Sequence, residues 1–204
     1  MAQFSYSSQA AESTFIYEAT PTTNFGTNVE LSVGRSAAGQ IRRSLLRFPN
    51  LPAGVTTIAN GKLYLYSSAV SMTAPRDLTV YRVLRNWVET QATWNVYSTG
   101  NNWGTAGCAN ATDFESTTIG TVSVPASPAA NSEIIVPLTS SLLLAYLAAQ
   151  STYAGAFLLK MVAAEATNDY WRPHSNDAVT PTLRPKLTFD YWLGKGVRNT
   201  FVGA

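Results

Sequence analysis

The sequence predicts an all-β protein: an antiparallel β-sandwich of jelly-roll type with one short helix near residues 139–150. Three observations carry this. Nine or ten short segments alternate apolar with polar residues at the two-residue period of a strand. Gly, Pro and Asn clusters separate them. No strand–helix alternation supports a parallel sheet. The 204 residues suit one large β domain, which we place at residues 13–191, between an N-terminal arm, 1–12, and a C-terminal arm, 192–204.

The arm at 1–12 is polar, with Phe4 and Tyr6 as anchors. Residues 13–18 alternate as a strand, and 20–28 hold Pro21, Asn24, Gly26 and Asn28, a loop. A short strand follows at 29–33, closed by Gly34. Residues 41–48 form a strand cut by Pro49, with Arg43, Leu45 and Arg47 on one face and Arg42, Ser44, Leu46 and Phe48 on the other. Leu51-Pro52-Ala53-Gly54 is a turn. Residues 62–67 and 78–84 are apolar strands. The stretch 86–115 is long and irregular, and carries Trp87, Trp94 and Trp103. A loop of that length is functional or is held by its own aromatics. Strands follow at 118–124 and 133–136. The helix is capped by Thr139 or Ser140 and presents Leu143, Tyr146 and Leu147 on one side. Residues 156–162 and 185–191 close the sandwich.

Composition narrows the function. Charged residues make up 13% of the chain, about half the usual share, and Ser, Thr, Asn and Ala fill the polar positions instead. The net charge is +2, from 14 basic and 12 acidic residues without a basic block, so nothing points to nucleic acid. The single cysteine, Cys108, permits no internal disulfide. The N-terminus has neither the basic nor the apolar region of a signal peptide. No apolar run approaches the roughly 18 residues that span a bilayer. No serine motif, framed carboxylate pair, phosphate loop or zinc spacing is present, so we expect no enzyme and no cofactor.

The order of several short motifs is familiar. Phe15-Ile16, Pro21, Asn24-Phe25-Gly26 and Leu31-Ser32-Val33-Gly34 open the set. Arg43-Ser44-Leu45-Leu46-Arg47-Phe48 and Leu51-Pro52-Ala53-Gly54 follow, then Leu63-Tyr64-Leu65-Tyr66, Val80-Tyr81-Arg82-Val83 and Trp87-Val88-Glu89. Thr93-Trp94-Asn95, Trp103 and Arg184-Pro185-Lys186-Leu187 complete it. Together they resemble the DNRLRE-type domain, a jelly-roll module related to carbohydrate-binding modules, over roughly residues 11–191. The resemblance implies a non-catalytic β-sandwich of a kind found on polysaccharide-active enzymes, on cell-surface proteins and in phage virions. The chain departs from the pattern at Ser13, where an acidic residue is usual, and at Pro49-Asn50, where Asp is usual. It departs again at Gly104-Thr105-Ala106-Gly107-Cys108, in place of an acidic glycine-rich turn.

Several residues are candidates for contact. Trp103 sits among Asn and Gly and is expected to be exposed, whereas Trp87 and Trp94 are expected in the core. Tyr170-Trp171-Arg172-Pro173-His174 is expected as a loop joining a flat aromatic, a guanidinium and the only histidine. Arg43 and Arg47, about 13 Å apart on one strand face, either present a charged strip to an acidic sugar or partner, or pair with neighbours such as Glu30. Asp113, Glu115, Asp169 and Asp177 are the carboxylates from which a structural calcium site would have to be built, although no calcium loop is present. Cys108 reads as an inert thiol. Trp192, Val197, Phe201 and Val202 are the apolar residues with which the C-terminal arm would dock on a neighbour. The expected function is a virion structural protein (a capsid decoration, head-fibre or tail-associated protein) that is made in the host cytoplasm and binds other virion proteins or copies of itself. The alternative is a carbohydrate-binding module that recognises a polysaccharide or cell-surface glycan.

Overall fold

The computed structural model describes residues 3–153 and 156–194. Two antiparallel sheets face each other. The first runs β1 (Gln3–Gln9), β13 (Lys186–Leu193), β5 (Val55–Ser71), β10 (Glu133–Pro137). The second runs β2 (Glu12–Tyr17), β4 (Ile41–Arg47), β11 (Ala156–Lys160), β6 (Arg76–Val83), β9 (Phe114–Val124). Two short strands extend the second sheet. β3 (Val33–Arg35) pairs with the start of β4, and β12 (Tyr170–Pro173) bridges β3 to the end of β5. The 17-residue β5 therefore serves both sheets.

Alternation explains which residues point inward. In β13, Leu187, Phe189, Tyr191 and Leu193 are buried, while Lys186, Thr188, Asp190 and Trp192 are half-buried on the other side. The inward residues join Leu46, Phe48, Leu63, Leu65, Val80, Phe157 and Trp171 in the core between the sheets. Helix α1 (Ser140–Tyr153) starts where the sequence places it and packs Leu143, Tyr146 and Leu147 into that core. The Tyr146 ring stacks on Phe157 with centroids 4.2 Å apart. A second helix, α2 (Val162–Ala166), was not expected; five residues are too few for a 3.6-residue period to be visible. Among the described residues no helix is long and apolar enough to cross a membrane.

The segment expected as an N-terminal arm supplies β1, with Tyr6 in the core and its hydroxyl donating to the Pro49 carbonyl (2.6 Å). At the other end, Trp192 and Leu193 continue β13. Val197, Phe201 and Val202 lie outside the described residues.

A second apolar cluster lies on the outer face of the second sheet. Ile16, Leu45, Val83, Ala156 and Leu158 project there and are covered by Trp87, Ala92, Trp94, Trp103 and Cys108. The long stretch after β6 is thus a third layer held by its own aromatics. It contains a small hairpin of β7 (Val96–Ser98) and β8 (Asn101–Asn102). The expectation that Trp103 is exposed is corrected: it is 4% exposed, and its indole N–H donates to the Thr93 carbonyl at 2.9 Å. Cys108 is fully buried, and burial pushes its thiol pKa up, as suits an inert thiol.

Three of the four carboxylates considered for calcium, all but Asp177, are spent on arginines and amides. Asp113 binds Arg85 and loop N–H groups, Glu115 binds Arg82, and Asp169 binds Arg76. Among the described residues no group of three His, Cys, Asp or Glu side chains comes together to hold a metal ion.

Asp169 also makes stability depend on pH. Burial alone would raise its pKa, but donors from Thr73, Thr167 and Arg76 outweigh burial and bring it from 3.8 down to about 2. A carboxyl whose pKa is lower folded than unfolded stabilises the fold above the unfolded value, and that stabilisation is lost as pH falls through the folded value. The urea midpoint is therefore expected to drop between about pH 4 and pH 2, and to drop less over that window in Asp169→Asn. An unchanged acid slope in the variant would count against this role.

Candidate functional site

Among the described residues, the third layer leaves the sandwich with one covered outer face and one bare one. The bare face belongs to the first sheet, and its outward residues fall into rows across four strands. Gln9, Lys186, Tyr64 and Ile135 form one row. Ser7, Thr188, Lys62 and Pro137 form the next. Ser5 and Asp190 begin a third, joined past a bulge in β5 by Asn60. Gln3, Trp192 and Thr57 form a fourth. Tyr66, two residues along β5 from Tyr64 and so about 7 Å away on the same side, lies opposite Glu133.

The polar groups of this face are already oriented by one another. The Asp190 carboxylate accepts from Ser5 Oγ (2.8 Å) and Asn60 Nδ2 (2.7 Å), and those bonds hold its pKa below the ordinary carboxylate value. Asn60 has a φ of 55° at the bulge, a left-handed conformation that Asn tolerates. The Lys186 ammonium lies 4.2 Å from the centre of the Tyr64 ring. The Tyr66 hydroxyl donates to Glu133 Oε1 (2.9 Å), and its pKa is pushed up to about 12, by burial first and by Glu133 next. A shallow groove of about 290 Å³ runs between Ser5, Ser7, Asn60, Lys62, Tyr64, Thr188 and Asp190. The arrangement offers hydroxyl, amide, ammonium and carboxylate groups around tyrosine rings on a flat surface. That chemistry suits reversible contact with a ligand rich in hydroxyls and C–H faces.

The residues singled out in the sequence lie mostly elsewhere. Tyr170-Trp171-Arg172-Pro173 is strand β12, not a loop. Trp171 is fully buried and donates its indole N–H to Ser67 Oγ (3.0 Å), so it offers no surface ring. Tyr170 and Arg172 point the other way, into a ladder of rings and guanidiniums. Arg42 lies 4.2 Å from the Tyr17 ring centre and 5.2 Å from that of Tyr170, and Arg172 lies 5.2 Å from Tyr170. Gly34 stands between Tyr170 and Arg42 in register; its φ is +110°, and a Cβ there would come within 2.4 Å of the Asp169 carbonyl oxygen. Arg172 also pairs with Glu30 at 3.5 Å. Burial is the largest influence on Arg42 and lowers its pKa. His174 is half-buried with Nε2 2.9 Å from Asn131 Oδ1, and burial pushes its pKa down.

Arg43 and Arg47 form no free charged strip. Arg43 pairs with Glu165 and Arg47 with Glu12, while Glu30 serves Arg172 instead. Sequence reasoning missed the bare-face residues Tyr64, Tyr66, Asn60 and Ser5. The Leu63-Tyr64-Leu65-Tyr66 alternation was the available signal, since it puts both tyrosines opposite two core leucines.

A two-sheet sandwich with one bare, polar, aromatic-bearing face has the build of a binding module. The chain belongs to carbohydrate-binding module family 96, whose profile matches residues 5–130, more than half its length. No curated protein sequence matches it. Among solved structures it is similar to a chain in the structure of the infectious bursal disease virus Gt strain, at 10% identity and a TM-score of 0.30. That alignment covers 95% of this chain and 37% of the viral one. A likeness at that level carries no argument. The family therefore supports the glycan alternative over the virion expectation.

Proposed function

We propose that this chain is a non-catalytic glycan-binding module that holds a polysaccharide or cell-surface glycan on the bare face of the first sheet. The observation that carries the reading is the juxtaposition of Tyr64 and Tyr66 with the Ser5–Asp190–Asn60 network on a face that nothing in the described chain covers. Sugar hydroxyls exchange hydrogen bonds with such a network, and the apolar face of a sugar ring packs on a phenol ring. Membership of a carbohydrate-binding module family points the same way.

A glycan array identifies the ligand, and titration with the best hit tests the site. Tyr64→Ala and Tyr66→Ala are each expected to weaken binding about ten-fold, the effect of roughly 1.4 kcal/mol of lost ring contact. Both variants should keep the far-ultraviolet circular dichroism of the parent, since both rings are only half-buried. Retention of full affinity in the double variant, with loss in Tyr170→Ala, would move the site to the Arg42–Tyr170 ladder. Absence of any glycan ligand would remove the reading.

A further inference from the structure

We propose that two copies of this chain pair along the free edge of β1, in antiparallel register about Tyr6. Among the described residues, the backbone of β1 pairs with β13 alone. Its other side is a row of unpaired N–H and C=O groups seven residues long, the template to which another strand adds. The opposite edge of the same sheet is bridged at its end, where Gly120 pairs with Leu138 just after β10 and the Thr139 N–H donates to the Ile119 carbonyl at 2.8 Å, and β10 itself carries Glu133 and Pro137. In the second sheet, the β2 edge carries Glu12 and is approached by Asn176, which hydrogen-bonds Ser13 and the Ala11 carbonyl. β1 has none of the devices that blunt an edge. Gln-Phe-Ser-Tyr-Ser-Ser-Gln holds no charge, no proline and no glycine.

The same sequence names the occupant. Laid antiparallel on itself about Tyr6, the strand sets Gln3 against Gln9, Ser5 against Ser7 and Tyr6 against Tyr6; only Phe4 against Ser8 differs. Every outward residue then meets its own type, and no like charges oppose. This is the self-complementarity that a two-fold interface requires. The register keeps both bare faces on one side and joins two four-stranded sheets into one of eight strands. The inference stands on the edge and its sequence and does not depend on the glycan reading. If both hold, the dimer presents two binding faces together, and avidity follows.

Light scattering and sedimentation of the full chain over a range of concentrations test it, and a concentration-dependent dimer is expected. Two charge variants at exposed positions test the register. Ser5→Lys with Ser7→Lys sets lysine against lysine twice across the two-fold and is expected to weaken the dimer at least ten-fold. Ser5→Lys with Ser7→Glu sets lysine against glutamate twice and is expected to keep it. A monomer at every concentration, a dimer undisturbed by the double lysine, or equal loss in both variants would each overturn the proposal. Circular dichroism of both variants confirms that the comparison is between folded proteins.

Discussion

Asp113→Ala is expected to lower the stability of this protein by about 3–5 kcal/mol, because a fully buried carboxylate organises most of the third layer. Its Oδ1 accepts from the Gly104 N–H (2.7 Å) and from Arg85 Nε (3.2 Å). Its Oδ2 accepts from the N–H groups of Thr105 and Asn110, both at 3.2 Å. Alanine would leave three backbone donors without this acceptor, at about 1–3 kcal/mol for each that stays buried. A side chain at position 104 has no room, since a Cβ there would lie 2.3 Å from Thr112 Oγ1. Asp113→Asn keeps one acceptor oxygen but turns an N–H₂ toward donors, and is expected to cost about 2 kcal/mol. Urea unfolding followed by tryptophan fluorescence checks both, since Trp94 packs against Gly107 in the same loop. A loss below 1 kcal/mol in the alanine variant would mean that the loop is held by its indoles alone.

The sandwich was legible wherever one face of a strand is buried and the other is not. β13 shows this: Leu187-Thr188-Phe189-Asp190 gives strand and facing together, whereas in β4 Arg43, Ser44, Leu45 and Leu46 are all buried, because the third layer covers its outer face. Trp87 and Trp94 were expected to plug the long loop into the core, and both are buried. Trp103 did not read as core, because Asn101, Asn102 and Gly104 around it look like surface. Its burial is set by a contact ten residues back, the Thr93 carbonyl, and by the fold of the whole loop over β2, β4 and β11. Trp171 was misplaced for want of the period. Tyr170-Trp171-Arg172-Pro173 alternates as half-buried, buried, half-buried, buried, but Pro173 suggests a loop, and the register shift before it lets a proline sit there. β5 was read too short, since Thr56, Thr57 and Asn60 are polar and only its middle alternates Leu with Tyr. The candidate site was the least legible feature. The two outer faces differ locally, with Ile16, Leu45, Val83 and Leu158 outward on the second sheet against Ser5, Lys62, Thr188 and Asp190 on the first, but no single strand shows that the tryptophan loop lands on one and not the other.

Arg43→Ala is expected to cost a further 3–5 kcal/mol, for a reason the sequence hid in a five-residue helix. Arg43 Nε and Nη2 each lie 2.8 Å from an oxygen of Glu165, a forked pair joining β4 to α2. Nη1 donates to the Gly107 carbonyl (2.6 Å), and the guanidinium lies 5.5 Å from the Trp94 ring centre, so one side chain links the sheet, the short helix and the third layer. Only 8% of the Arg43 side chain and 12% of that of Glu165 is exposed. Truncating the arginine therefore leaves a carboxylate shielded from water without its partner, and that penalty is larger than the net worth of the pair. Lys160, whose pKa is lowered first by burial and next by Arg43, is the neighbouring cation that limits the damage. Lysine at 43 cannot reproduce the fork and the third bond together, so Arg43→Lys should cost about 2 kcal/mol. The double variant Arg43→Met with Glu165→Leu removes both charges and fills similar space, and should be more stable than Arg43→Ala alone. Urea unfolding of the Arg43→Met and Glu165→Leu single variants beside the double one gives a coupling energy, expected to be at least 1.5 kcal/mol. Additive losses would assign the role of Arg43 to Gly107 and Trp94, making it a clamp on the tryptophan loop rather than an anchor for α2.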